Sequence, residues 1–186
     1  MSETITVIKN RRSIRKYKEE QIGDTEIQSI LESAVHAPSA MNQQKWHFSV
    51  VQNRELLDRM MEAAREYLLK SNVEFLVERA QNPEFDIFYQ APTVVVITAD
   101  EKARFIEIDC GAAAQSIALA AESLNIGSCL IAMSSFVFES EMAAELRQEL
   151  GIPEGYRHVL SVALGYKNIE NPPLPPKNMD VINYVK

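Results

Sequence analysis

"GAAAQSIALAAESL", residues 111–124, is small and apolar on nearly every side, with only Gln115, Ser116, Glu122 and Ser123 to face water. A helix that is apolar all round must be buried all round. A chain of 186 residues can bury one such helix, and a subunit interface does so more easily. The neighbouring segments supply its surroundings. "TVVVITA" (93–99) is a continuous β-branched run, as expected of a strand covered on both faces. "WHFSVVQ" (46–52) alternates like a strand, and "SCLIAM" (128–133) and "YRHVLSVALGY" (156–166) add two more. "DTEIQSILESAVHAP" reads as a helix capped by Asp24 and stopped by Pro38, with Ile27, Ile30, Leu31, Ala34 and Val35 on one face. "RELLDRMMEAAREYLL" follows the cap Asn53 and places Leu56, Leu57, Met60, Met61, Ala64 and Leu68 together. Further helices are expected over Val73–Ala80, ended by Pro83, and over 140–150, capped by Ser140 and closed by Gly151 and Pro153.

No repeat or Gly/Ser linker divides the chain, so one domain spans residues 1–186. Its last part, 166–186, is rich in proline and lacks periodicity, which predicts an extended arm. That arm ends in "VINYV", whose apolar side chains need a surface to lie on. Hydrophobic residues are 46% and charged residues 24% of the chain, ordinary values for a globular protein. The net charge of -7 argues against nucleic acid as a partner. No apolar run is long enough to span a membrane. "MSETITVIKN" has no signal-peptide core, so a cytoplasmic location is expected. Cys110 and Cys129 read as two buried thiols. His36, His47 and His158 lack metal-ligand spacing, and no metal site is expected. Neither Gly-x-Gly-x-x-Gly nor Gly-x-Ser-x-Gly occurs, which leaves a Rossmann nicotinamide site and a nucleophile elbow unsupported.

Two stretches carry chemistry. "RRSIRKY" (11–17) lies in a run of Lys9, Arg11, Arg12, Arg15, Lys16 and Lys18 that contains no acidic residue. Planar guanidinium forks with a hydroxyl between them suit phosphate oxygens; taken alone, the run reads first as a solvated basic turn. "HAPSAMNQQKWHF" (36–48) runs from a helix end through a loop to a strand holding the one Trp. Ser39, Asn42 and Gln44 both donate and accept hydrogen bonds, as the edge of a heterocycle with carbonyls and ring nitrogens requires. The same side chains could also serve only to cap the preceding helix.

Together, in this order and spacing, the two stretches resemble the nitroreductase family of flavoproteins. That family opens with a helix, then Arg-Arg-Ser-x-Arg-x-aromatic, then Ala-Pro-Ser-x-x-Asn-x-Gln-Pro-Trp-x-Phe. The likeness continues through the apolar helix, "NIGSCLI", "ALGY" and the proline-rich basic tail. It implies an α+β fold with a mostly antiparallel central sheet flanked by helices, assembled as an intertwined homodimer. It implies FMN as cofactor, with Arg11, Ser13 and Arg15 on its phosphate and ribityl chain and Arg12 contributing through backbone or side chain. Pro38, Ser39, Met41, Asn42 and Gln44 would line the flavin, and the backbone of Ile131, Ala132 and Met133 would approach the isoalloxazine. Lys177 is similar in position to a basic residue that reaches the phosphate. Lys45 stands where the family has proline, Tyr17 where phenylalanine is commoner, and no proline follows Gly165-Tyr166 directly.

The implied activity is FMN-dependent reduction of a nitroaromatic or quinone-like acceptor by NAD(P)H in a ping-pong scheme, without a dedicated catalytic acid or base. Two alternatives accompany it. One is an FMN-binding or redox-sensing module without turnover; the other is an enzyme of the same architecture acting on flavin, on a dehalogenation substrate or in dehydrogenation.

Overall fold

The structure, a computed structural model, describes residues 2–186. Four strands form one sheet in the order β1 (Trp46–Val51), β2 (Thr93–Asp100), β4 (Tyr156–Tyr166), β3 (Ile126–Ile131), and every pair is antiparallel. The strand β2 is buried from Thr93 to Ala99, as a β-branched run covered on both faces should be. One face of the sheet is covered by α3 (Arg54–Leu69), α4 (Glu74–Gln81), α6 (Ser135–Glu139) and α7 (Ala143–Glu149); the other is covered by α2 (Asp24–Val35) and α5 (Ile106–Ser123). A first helix, α1 (Glu3–Asn10), precedes the basic segment, and Ser2 caps it.

The expected helices form with three local differences. Gly23, not Asp24, occupies the cap of α2, because its N–H is taken by the Glu26 carboxylate at 3.1 Å. The expected helix over 140–150 is shortened to α7, preceded by the separate α6. The Ser140 hydroxyl donates to the Val137 carbonyl of α6 at 2.7 Å, and Met142, not Ser140, occupies the cap position of α7. The strand expected to run to Met133 ends at Ile131, and Ala132 and Met133 lie in the turn beyond it.

Helix α5 begins at Ile106, five residues ahead of its apolar core, after Phe105 in a left-handed conformation (φ 65). Packing against α2 and the sheet buries Ala113, Ala114, Ile117, Ala118 and Ala121 within the chain itself. Along one side of the helix Ile108 and Gln115 are exposed and Ala112 and Leu119 half-buried, a stripe at helical spacing. Both cysteines are buried and unpaired. The arm beyond Asn168 has almost no regular structure, and Met179, Val181, Ile182, Tyr184 and Val185 are all exposed.

Two glycines determine how the basic segment meets the sheet. Gly127 and Gly165 face each other across β3 and β4. A Cβ on Gly127 would stand 2.9 Å from Ile14 Cγ2, and one on Gly165 would stand 2.8 Å from Pro92 Cδ and 2.9 Å from Tyr17 Cδ1. The absence of side chains here lets residues 13–17 lie flat across the sheet end. We therefore expect Gly165→Ala to lower stability by about 1–3 kcal/mol, the usual cost of overpacking a filled core. Urea denaturation checks this, and an unchanged midpoint would show that the segment has room to lift.

Candidate active site

Residues 11–17 run beside the start of β3. Ser13 bridges to Ser128, Ile14 donates its N–H to the Ser128 carbonyl at 2.9 Å, and Lys18 donates to the Tyr166 carbonyl at 2.9 Å. In this extended backbone alternate residues share a face: Ile14 is 1% exposed and points into the core, while Ser13 and Arg15 point the other way. Arg11, Ser13 and Arg15 converge on the buried Cys129. Desolvation raises the thiol's pKa, opposed by the charges of Arg15 and Arg11 and by hydrogen bonding with Ser13 and Arg15. Three of the four residues expected to hold a phosphate are thus together on one side of β3. The fourth, Arg12, spends its guanidinium on backbone: the carbonyls of Lys9 (2.7 Å), Arg11 (2.9 Å) and Pro172 (3.1 Å). Its side chain stitches the root of the arm to the basic segment.

The second motif lies elsewhere. The Ala40 N–H donates to both carboxylate oxygens of Asp109, each at 3.1 Å, in the first turn of α5. The Gln44 N–H donates to the Ser39 hydroxyl at 3.1 Å, and the Gln44 side-chain amide donates to Asn42 Oδ1 at 3.0 Å. Met41, Asn42 and Gln44 all have left-handed backbones (φ 52, 54 and 50). Non-glycine residues in this region cost of order 1 kcal/mol or more each, and such strain gathers at functional sites. The loop presents Pro38, Met41, Asn42 and Gln44 to solvent, with Met41 79% exposed and Ser39 half-buried.

Helix α5 separates the two motifs. Asp109 fastens the loop at its first turn, and Glu122 at its last turn takes Lys167 (2.9 Å) and Asn171 (3.2 Å) beside the basic segment. From Asp109 to Glu122 the helix advances about 20 Å at its standard rise. One chain therefore does not bring residues 38–44 onto Arg11, Ser13 and Arg15. Lys177 lies in the exposed part of the arm.

At the far end of β3 from Ser128, Ile131 is buried, Ala132 exposed and Met133 half-buried. This turn stands on a polar network that sequence reasoning missed. The Ser134 hydroxyl donates to the Ile131 carbonyl at 2.8 Å, and His158 Nε2 lies 3.0 Å from Ser134 Oγ and 3.2 Å from Ser161 Oγ. Nε2 thus sits between two buried hydroxyls, and its tautomer sets which of these contacts it donates. The ring of His158 stacks on Phe138 at 4.7 Å. Burial, then the nearby charges of Arg147 and Arg157, lower its pKa to about 4. Among the described residues no three His, Cys, Asp or Glu side chains gather as a metal site, and no helix is long and apolar enough to cross a membrane.

The profile of the Nitroreductase family matches residues 8–166, which contain both motifs and the whole sheet. The chain belongs to the nitroreductase family. Among solved structures, a nitroreductase with bound FMN from Desulfitobacterium hafniense is 38% identical, with a TM-score of 0.93 and 100% of each chain covered. A nitroreductase with bound FMN from Bacteroides fragilis is 33% identical, with a TM-score of 0.92 and the same full coverage. A protein of Archaeoglobus fulgidus, whose name couples NADH dehydrogenase with NAD(P)H nitroreductase, is 38% identical over 175 residues, covering 91% of this chain and 88% of its own. The antiparallel four-stranded sheet with helices on both faces is thus the nitroreductase fold, as the resemblance implied.

The buried histidine gives this site a pH signature. Its folded-state pKa of about 4 lies below the ordinary 6.5, so the unfolded chain takes up the proton first as pH falls. The contribution is complete above the ordinary value and is lost between it and the folded value, on the order of 3 kcal/mol across that window. Urea unfolding of the native protein and of His158→Gln at pH 7 and near pH 4 isolates it. The native protein is expected to lose more stability than the variant on acidification. An equal loss in both would mean that the imidazole is not held neutral.

Proposed function

We propose that this chain is an FMN-dependent oxidoreductase that takes electrons from NAD(P)H and passes them to a nitroaromatic or quinone-like acceptor. One observation carries the reading: Arg11, Ser13 and Arg15 converge on one side of β3, in a member of a family whose solved relatives contain FMN. The residues present fit that cofactor. The donor set consists of permanent cations and a hydroxyl, the groups a phosphomonoester and a polyol chain require. Bound flavin would supply the redox chemistry that amino-acid side chains lack.

In this reading Arg11 and Arg15 neutralise the phosphate end and Ser13 donates to the chain beyond it. The turn Ile131–Met133, held from beneath by Ser134, places backbone groups along the ring. Pro38, Ser39, Met41, Asn42 and Gln44 come from a second copy, because within one chain α5 keeps them away. A two-fold pairing solves this geometry, since it sets each loop against the other protomer's basic segment. It also covers the partly exposed stripe of α5 and the apolar end of the arm, which carries Lys177. No side chain is assigned as acid or base.

Two outcomes are expected. Arg11→Ala and Arg15→Ala should each weaken FMN by about 1.5–3 kcal/mol, the worth of a charge-assisted hydrogen bond, and Arg11→Ala should erase most of the preference for FMN over riboflavin in equilibrium dialysis. Chains carrying both changes, co-refolded with Asn42→Ala chains, should recover one intact site per mixed dimer. No recovery would place the whole site in one chain. Because donor and acceptor occupy the same open face in turn, initial rates at varied NAD(P)H and acceptor should give parallel double-reciprocal lines. Intersecting lines would mean that both bind together.

A further inference from the structure

Beside the basic segment lies a cleft of about 1150 Å³ whose wall includes Arg15, Tyr17 and Tyr89. Tyr89 belongs to the connection between α4 and β2, a stretch without periodicity, yet this connection is tightly built. Arg65 of α3 donates to two of its carbonyls, those of Asn82 (3.0 Å) and Phe85 (2.7 Å), and to that of Ala80 in the last turn of α4 (2.5 Å). The Asp86 carboxylate accepts from the N–H groups of Phe88 (2.6 Å) and Gln90 (3.1 Å). Ile87 and Phe88 are buried in the core at 2% and 1% exposure. The next two residues, Tyr89 and Gln90, are both left-handed (φ 56 and 55). An aromatic side chain rarely adopts that backbone, and here the half-buried Tyr89 ring packs at the edge of the core and lines the cleft.

The ring meets Arg15. The guanidinium carbon lies 5.5 Å from the ring centroid, within cation–π range. Among the described residues no carboxylate stands within salt-bridge distance of Arg15, and the Asp86 carboxylate in the same cleft is occupied by the loop's own N–H groups. Arg15 is thus an arginine oriented by an aromatic face, with its charge not matched by an anion.

We propose that Tyr89 is a positioning residue of the cofactor site: anchored through its loop to Arg65 and Asp86, it fixes the Arg15 guanidinium in the direction of the bound flavin. An arginine free to rotate would lose side-chain entropy on binding, whereas one already held against a ring has lost it beforehand. The role in flavin binding rests on the function proposed above; the ordering of Arg15 does not.

Two measurements separate these parts. In the flavin-free protein, ¹⁵N relaxation of Arg15 Nε should show an ordered side chain, disordered in Tyr89→Leu and still ordered in Tyr89→Phe, which keeps the ring face. Equal mobility in native and Tyr89→Leu protein would overturn the proposal whatever the ligand. In equilibrium dialysis Tyr89→Leu should weaken FMN roughly three- to tenfold, the range of a cation–π contact, and Tyr89→Phe should restore most of that loss. In an Arg15→Met background Tyr89→Leu should change affinity less than about twofold, as coupled residues do. An undiminished effect in that background would overturn the positioning role even if FMN binds. Failure of the native chain to bind FMN would overturn the function reading and the flavin half of this proposal, with the ordering of Arg15 still decided by relaxation.

Discussion

The contact between two bare backbones at Gly127 and Gly165 is the constraint on which the rest of the site depends. Because neither strand carries a side chain there, the segment from Ser13 to Tyr17 can hydrogen-bond along β3 and close over the end of β4. That placement buries Ile14 and, by alternation, turns Ser13 and Arg15 to the opposite side, where Cys129 lies. It also brings Tyr166 and Lys167 alongside, so that the arm departs from the same corner as the basic residues. The acidic balance of the chain does not prevent a local concentration of positive charge, because the backbone path decides which side chains share a face.

Much of this architecture was legible in the residues. The β-branched run at 93–99 gave a strand buried on both faces, and "YRHVLSVALGY" is β4 from its first residue to its last. Asn53 caps α3 through the Leu56 N–H at 3.0 Å, as its position before an amphipathic run implies. Where reading failed, a nearby polar group had an alternative partner. Glu26 moved the start of α2, and the Ser140 hydroxyl served the helix before it instead of the one after. Periodicity reports the average environment of a face; it does not report which of two neighbours a hydroxyl or carboxylate will choose.

The site shows a different boundary. Both motifs could be found because their residue types are unusual for their surroundings. Their separation could not, because it depends on which end of α5 each one is fastened to, through Asp109 and Glu122. Tyr89, Ser134 and His158 left no signal at all. Each acts through another group, and an orienting side chain needs only the right distance to its neighbour, which no one-dimensional pattern records. Ala118 shows the same limit on packing: its apolar surroundings were evident, but only the folded chain reveals that α2 and the sheet already enclose it.

Helix α5 also acts as a gauge. Its two ends are tied to different parts of the chain, and a helix adds its length in fixed increments. One inserted residue would advance the far end by about 1.5 Å and rotate it by roughly 100°, moving Glu122 away from Lys167 while Asp109 stayed with Ala40. Insertions and deletions should therefore be scarce between Ile106 and Ser123 and tolerated in the exposed turn at 101–105 ahead of it. A descendant of this chain could remodel its loops freely, but it would have to keep the length of this rod.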